Sequence, residues 1–160
     1  MLSPYQTAEK DEYSYEFITE QGIKYRIYFL DYSYMFADYP QIHCPFYSFN
    51  IDAIDGDPDL IPQDERIGLT VLEIIKLFFQ NVANVAIYVC DSMDERQYSR
   101  KRKFDRWFFI YNDGSLLKED GLAVIEGEEI YNAMLVHKDN PELKDIILAF
   151  KDLNDKAGEK

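Results

Sequence analysis

QDERIGLTVLEIIKLFFQNVANVAIYVC, running from Gln63 to Cys90, is the stretch on which the reading of this chain turns. It opens on the acidic pair Asp64 and Glu65 and passes into an apolar segment that predicts a helix from Leu69 to Asn81. Thr70 with Glu73 three residues later has the spacing of a capping box. Val71, Leu72, Ile74, Ile75, Leu77, Phe78 and Phe79 run round most of the circumference, which predicts a helix buried on nearly every side against a sheet. Val85 to Cys90 is apolar apart from Tyr88, as expected of a central strand. A second helix is expected from Glu95 to Phe109, with Asp91, Ser92 or Asp94 as its cap. Loop, helix, strand, helix is the order in which many α/β folds build a ligand site at the carboxyl end of a strand.

Outward from this stretch the pattern is mostly strands. Tyr13 to Phe17 alternates apolar with polar residues, Thr19 to Gly22 reads as a turn, and Ile23 to Leu30 reads as the hairpin partner. An aromatic connector, Tyr32 to Gln41, ends at Pro40, and a third strand is expected over Phe46 to Ile51. The Gly56 and Pro58 that follow mark a surface loop. Past the second helix, Asn112 to Ser115 is turn chemistry. Leu122 to Ile125 and Ile130 to Val136 predict a hairpin around Glu126 to Glu129. Pro141 opens a final amphipathic helix with Leu143, Ile146, Ile147, Phe150 and Leu153 on one face. The chain therefore reads as one α+β domain of order β-β-β-α-β-α-β-β-α. Its sheet should be mixed, mostly antiparallel and flanked by helices, with residues 1–12 and 154–160 as loosely ordered ends.

At 160 residues, 47% hydrophobic and 16% aromatic, the chain is expected to bury a core of its own. Two cysteines, Cys44 and Cys90, supply neither a disulfide framework nor metal-ligand spacing, which points to a reducing cytoplasm. The start, Met1 to Tyr5, lacks the basic and apolar run of a signal peptide, and no apolar run reaches the length of a membrane span. Thirty acidic against 17 basic residues argue against general nucleic-acid binding, because phosphate meets a repelling surface.

The order of elements resembles the core of the GCN5-related N-acyltransferase family. In that family a Gln/Arg-x-x-Gly-x-Gly/Ala loop joins a strand to a helix and holds the pyrophosphate of acyl-coenzyme A on backbone amides. Gln63 and Gly68 keep the outer positions of that motif, and Val71 and Leu72 fall where the family has apolar helix residues. The resemblance spans roughly residues 44–137. It implies an acyl-coenzyme A cofactor, a small-molecule acyl donor, held by Gln63, Arg66, Gly68, Leu69 and Thr70, with Arg96 and Arg100 as further anion contacts. The departures are specific. Arg66 replaces the middle glycine, Asp64 and Glu65 add negative charge, and Asp94 and Gln97 stand where the family has Asn and Ala. Arg100, Lys101 and Arg102 fill the region of its general-acid tyrosine, while Tyr98 lies out of register. These substitutions leave room for a fold that has kept the architecture and lost catalysis.

Six basic residues lie between Arg96 and Arg106. Arg96, Arg100, Lys103 and Arg106 share one helical face, which suits either an anion or a salt-bridged surface facing Asp91, Asp94, Glu95, Asp105 and the acidic loop at 52–65. Phe104, Trp107 and Phe108 read as core anchors. Cys90 and Arg96 match the Cys-x5-Arg of phosphatase loops, but the surrounding carboxylates and absent glycines argue for a buried thiol instead. Asp55, Asp57 and Asp59 begin like a calcium loop, yet Arg66 stands where the closing glutamate belongs. His43 and His137 are isolated, which disfavours zinc, and no Gly-x-Ser-x-Gly elbow supports a Ser-His-Asp triad. Three functions remain in view: an acyl-coenzyme A-dependent N-acyltransferase, a non-catalytic acidic domain that binds a protein partner through the 52–65 loop or the basic 96–106 helix, and a nucleic-acid mimic.

Overall fold

Seven strands form one sheet in the order β1-β2-β3-β4-β5-β7-β6. The computed structural model describes residues 2–56, 64–90 and 97–157, without the side chains of 97 and 98. The strands are β1 (Ala8–Asp11), β2 (Ser14–Ile18), β3 (Lys24–Asp31), β4 (Phe46–Asp55), β5 (Val85–Cys90), β6 (Leu116–Ile125) and β7 (Glu128–His137). The helices are α1 (Glu65–Phe78), α2 (Gln97–Tyr111) and α3 (Leu143–Ala157), with a 3-10 turn at Ser33–Phe36. Every neighbouring pair is antiparallel except β4 and β5, which run parallel. The α+β class and the expected order of elements hold, with β1 added inside the segment read as a loose arm.

The single parallel pair dictates where the helices go. The chain crosses from β4 through α1 to β5, and from β5 through α2 to β6, stepping the same way across the sheet both times. Right-handed crossovers then put both helices on one face. On that face, Phe17, Ile27, Phe29, Phe49, Ala86 and Leu135 from the strands meet Val71, Leu72, Ile75 and Phe78 from α1 and Phe104 and Trp107 from α2. Phe29 stacks flat on Phe78 at 3.9 Å between ring centroids, with Tyr13 edge-on to Phe78 at 4.9 Å. The other face carries α3 and the 3-10 turn over Phe46, Val85, Ile87, Met134 and Val136. Side chains alternate between the two faces along each strand, so β5 sends Val85 and Ile87 one way and Ala86 and Tyr88 the other.

Several boundaries differ from the sequence reading, each for a physical reason. α1 begins at Glu65, and Asp64 is its cap, accepting from the Arg66 amide at 2.9 Å. Thr70 is therefore no cap. It lies fully buried inside the helix, and its hydroxyl donates to the Arg66 carbonyl at 2.6 Å. Leu77, expected inside, is 45% exposed on the outward stripe of α1 beside Glu73 and Lys76. β6 starts at Leu116 rather than Leu122, with Leu116 buried in the core and Lys118 held against Asp105 of α2. The β6–β7 hairpin turns on Glu126 and Gly127, both at positive φ (53° and 82°), the backbone that a two-residue hairpin loop needs. α3 starts two residues beyond Pro141, with the Asn140 side chain accepting from the Glu142 amide at 2.7 Å.

Candidate functional site

Brought together at the start of α1 are Arg66, Gly68, Leu69 and Thr70, all expected to hold an anion, and each has a partner or a packing position there. The Asp64 carboxylate caps the Arg66 amide, and the Asp64 carbonyl accepts from the Ile67 amide at 3.1 Å. Tyr5 from the amino-terminal arm donates its hydroxyl to the same Asp64 carboxylate. Burial first, and that carboxylate second, push the Tyr5 hydroxyl up from its ordinary pKa. The Tyr5 amide donates to Thr70 Oγ1 at 2.8 Å, which ties the arm to the first turns of the helix.

Arg66 places its guanidinium carbon over the Tyr5 ring, 3.8 Å from the centroid, donates to the Ser3 carbonyl at 2.9 Å and pairs with Glu20 at 2.7 Å. Its guanidinium, expected to meet a phosphate, is thus engaged on three sides by this chain's own groups. Gly68 faces α2, where a Cβ would sit 2.2 Å from Trp107 Cδ1. The missing side chain at 68 makes room for an indole. Leu69 is half-buried alongside. Gln63 and Arg96 lie outside the described residues, as do Asp57, Asp59, Asp91 and Asp94.

Between β4 and β5 the ladder covers only Phe46↔Val85, Tyr47↔Ala86 and Ser48↔Ile87, although both strands continue beyond it. Three rings meet where the ladder stops. Tyr88 stacks on Phe104 at 4.6 Å, and Phe49 lies 5.6 Å from Tyr88 and 5.8 Å from Phe104. Burial pushes the Tyr88 hydroxyl well above its ordinary range, so it stays a neutral packing group. Cys90 is likewise buried, and burial pushes its thiol up to about 11, the opposite of what a phosphatase-type nucleophile needs.

Among the described residues, several basic side chains of α2 lie against carboxylates or rings. Arg106 pairs with Glu65 at 2.7 Å, and that contact, ahead of burial, holds the Glu65 carboxyl below its usual range. Lys101 pairs with Asp105 at 2.7 Å, Lys103 reaches the Trp107 ring at 6.0 Å, and Arg100 also has a contact of its own. Phe104 and Trp107 are buried, as read from their spacing. Sequence reasoning missed Tyr5 and the capping role of Asp64. The signal for Asp64 was present, since an acid placed directly before the apolar period of Ile67 and Val71 is a helix start. Tyr5 had no local signal, because its partners are 59 and 65 residues away.

Residues 63–152 match the model of DUF6169, a family of unknown function. The chain belongs to DUF6169. No curated protein and no solved structure matches it. The DUF6169 match takes in α1, β5, α2, the β6–β7 hairpin and most of α3, and so contains the Asp64 cap, Gly68 and its partner Trp107. Among the described residues of this DUF6169 chain, no group of three His, Cys, Asp or Glu side chains is placed to hold a metal ion, and no helix is long and apolar enough to cross a membrane.

Proposed function

We propose that this protein has an N-acyltransferase-type architecture put to non-catalytic use, as an acidic domain that binds a protein partner. The strand order, with one parallel pair at β4 and β5 and a helix following each of them, supports the architectural half of that reading. The observation that carries the functional half is the closure of the α1 start. The Asp64 carboxylate holds the Arg66 amide, Tyr5 and Glu20 hold the Arg66 guanidinium, and Trp107 fills the space over Gly68. A helix start binds an anion through free amides and its positive end, and here a carboxylate of the same chain already lies on that end.

A second reading, acyl-coenzyme A lying between β4 and β5, draws support from the early end of their ladder. Three packed rings at that point weigh against it. Thermal denaturation with coenzyme A and acetyl-coenzyme A at millimolar concentration separates the two. The partner-binding reading expects an unchanged midpoint. A ligand at about a hundred times its Kd would add about 2.7 kcal/mol, so a rise of several degrees overturns that reading.

A further inference from the structure

The two edges of the sheet are guarded very differently. β1, at one edge, is four residues long, fully exposed, and has a register irregularity between Glu9 and Asp11. Short, bulged and charged edges are how soluble proteins discourage pairing with another chain. β6, at the other edge, is ten residues long, contains no proline and pairs with β7 without a register break. Its only lysine does not shield it. Lys118 is turned under α2, its side chain 10% exposed, where it pairs with Asp105 at 2.6 Å and with Asp120. Leu117, Leu122, Val124 and Ile125 along the same strand are exposed.

Beside this edge, which no other described strand pairs with, lies a cleft of about 510 Å³ between the outer flank of α2 and β6, lined by Asp105, Phe108, Phe109, Asn112, Lys118 and Asp120. Phe109 stands at its rim, 86% exposed, and the Asp120 side chain is 55% exposed. A strand added to β6 would send alternate side chains toward α2 and into this cleft. From Asp113 to Glu129 the chain has six acidic residues and one lysine. That balance opposes a second copy of β6 at the edge, since two such hairpins would lie side by side, and it favours a cationic strand.

We propose that the free edge of β6 is a docking strip for an extended peptide segment of a partner protein that alternates apolar with basic residues, an apolar side chain entering the α2–β6 cleft against Phe109 and a basic one meeting Asp120. This rests on the reading of the protein as a partner-binding domain and gives the surface and the chemistry of the partner. Fluorescence anisotropy with labelled decapeptides tests it on the full chain. The alternating Val/Lys peptide binds, while an alternating Val/Glu peptide and a Val/Lys peptide of the same composition in block order do not.

Phe109→Ala weakens binding roughly tenfold, as loss of an exposed aromatic anchor does. Asp120→Asn weakens it several-fold, and Tyr34→Ala, at an exposed tyrosine outside the strip, leaves it unchanged. Thermal midpoints of the variants identify any loss of folding, and a melted variant is replaced by Phe109→Leu. Equal binding of the block-order peptide, binding unaffected by both Phe109 and Asp120 variants, or a dimer at micromolar concentration in sedimentation overturns the strip. Coenzyme A binding in the thermal assay instead overturns the partner-binding reading beneath it.

Discussion

Gly68 on α1 lies against the indole of Trp107 on α2 so closely that a Cβ at 68 would stand 2.2 Å from Cδ1 and 2.4 Å from Nε1. The glycine serves the helix–helix seam. Gly68→Ala has to push a ring that is only 7% exposed, and is expected to cost about 1–3 kcal/mol, the usual cost of overpacking. Trp107→Leu alone leaves a void. The double variant should be more stable than the two separate losses predict, with a coupling of roughly 0.5–3 kcal/mol in urea denaturation. Strict additivity would show that the two residues do not share space.

Tyr5 fastens the amino-terminal arm over the start of α1. Tyr5→Phe keeps the stack on Phe17 and under Arg66 but loses the bond to Asp64, and is expected to cost about 1 kcal/mol. Tyr5→Ala removes a buried ring as well and should cost roughly 3 kcal/mol. Limited proteolysis should then cut the arm faster while the rest of the domain keeps its protection. An arm no more sensitive than before would show that residues 2–7 are held by something other than this ring.

Glu142 ties the start of α3 to the connector before β4, accepting from the His43 amide at 2.8 Å and the Cys44 amide at 2.7 Å. The Cys44 thiol, followed by the His43 amide, holds its carboxyl at about 2. A carboxyl depressed in the folded state stabilises the fold above its unfolded value and stops doing so as pH falls through its folded value. Thermal midpoints should therefore fall between about pH 4.5 and 2, and Glu142→Gln should flatten that part of the profile. A profile identical to wild type would place the acid sensitivity elsewhere.

Asp105 is the hub beneath α2. Burial pushes its carboxyl up, and Lys101 and Lys118 together outweigh that and hold it below the usual range. Lys118→Met removes one of the two cations. The cost should be roughly 1–2 kcal/mol, less than for a fully buried pair because Lys101 and partial solvent remain. Asp105→Asn/Lys118→Met should recover part of that loss. A single variant as stable as wild type would mean that solvent replaces the lysine at no cost.

Local pattern made most of the fold legible. The alternation in Tyr13 to Phe17, the apolar run of Val85 to Cys90 and the period of Leu143 to Leu153 each marked an element that forms. What stayed hidden depends on distant partners. Leu116 to Gly121 has no apolar–polar alternation of its own, and the lysine at its centre finds its partner, Asp105, only on α2. Glu65 read as loop charge until Arg106, 41 residues later, came alongside it. At the candidate site the motif positions Gln63 and Gly68 were visible, but no local signal tells a glycine that approaches a phosphate from one that approaches an indole. Only the crossing of α1 and α2 makes that distinction.

The unequal edges of the sheet also limit how the protein can assemble. Growth of a sheet into a filament needs an open strand at both ends, so that each added molecule offers a fresh surface to the next. A molecule joined through β6 presents β1 outward, four residues long and irregular, and elongation ends there. Edge-to-edge stacking of the sheet therefore has one usable end and no second one from which to continue.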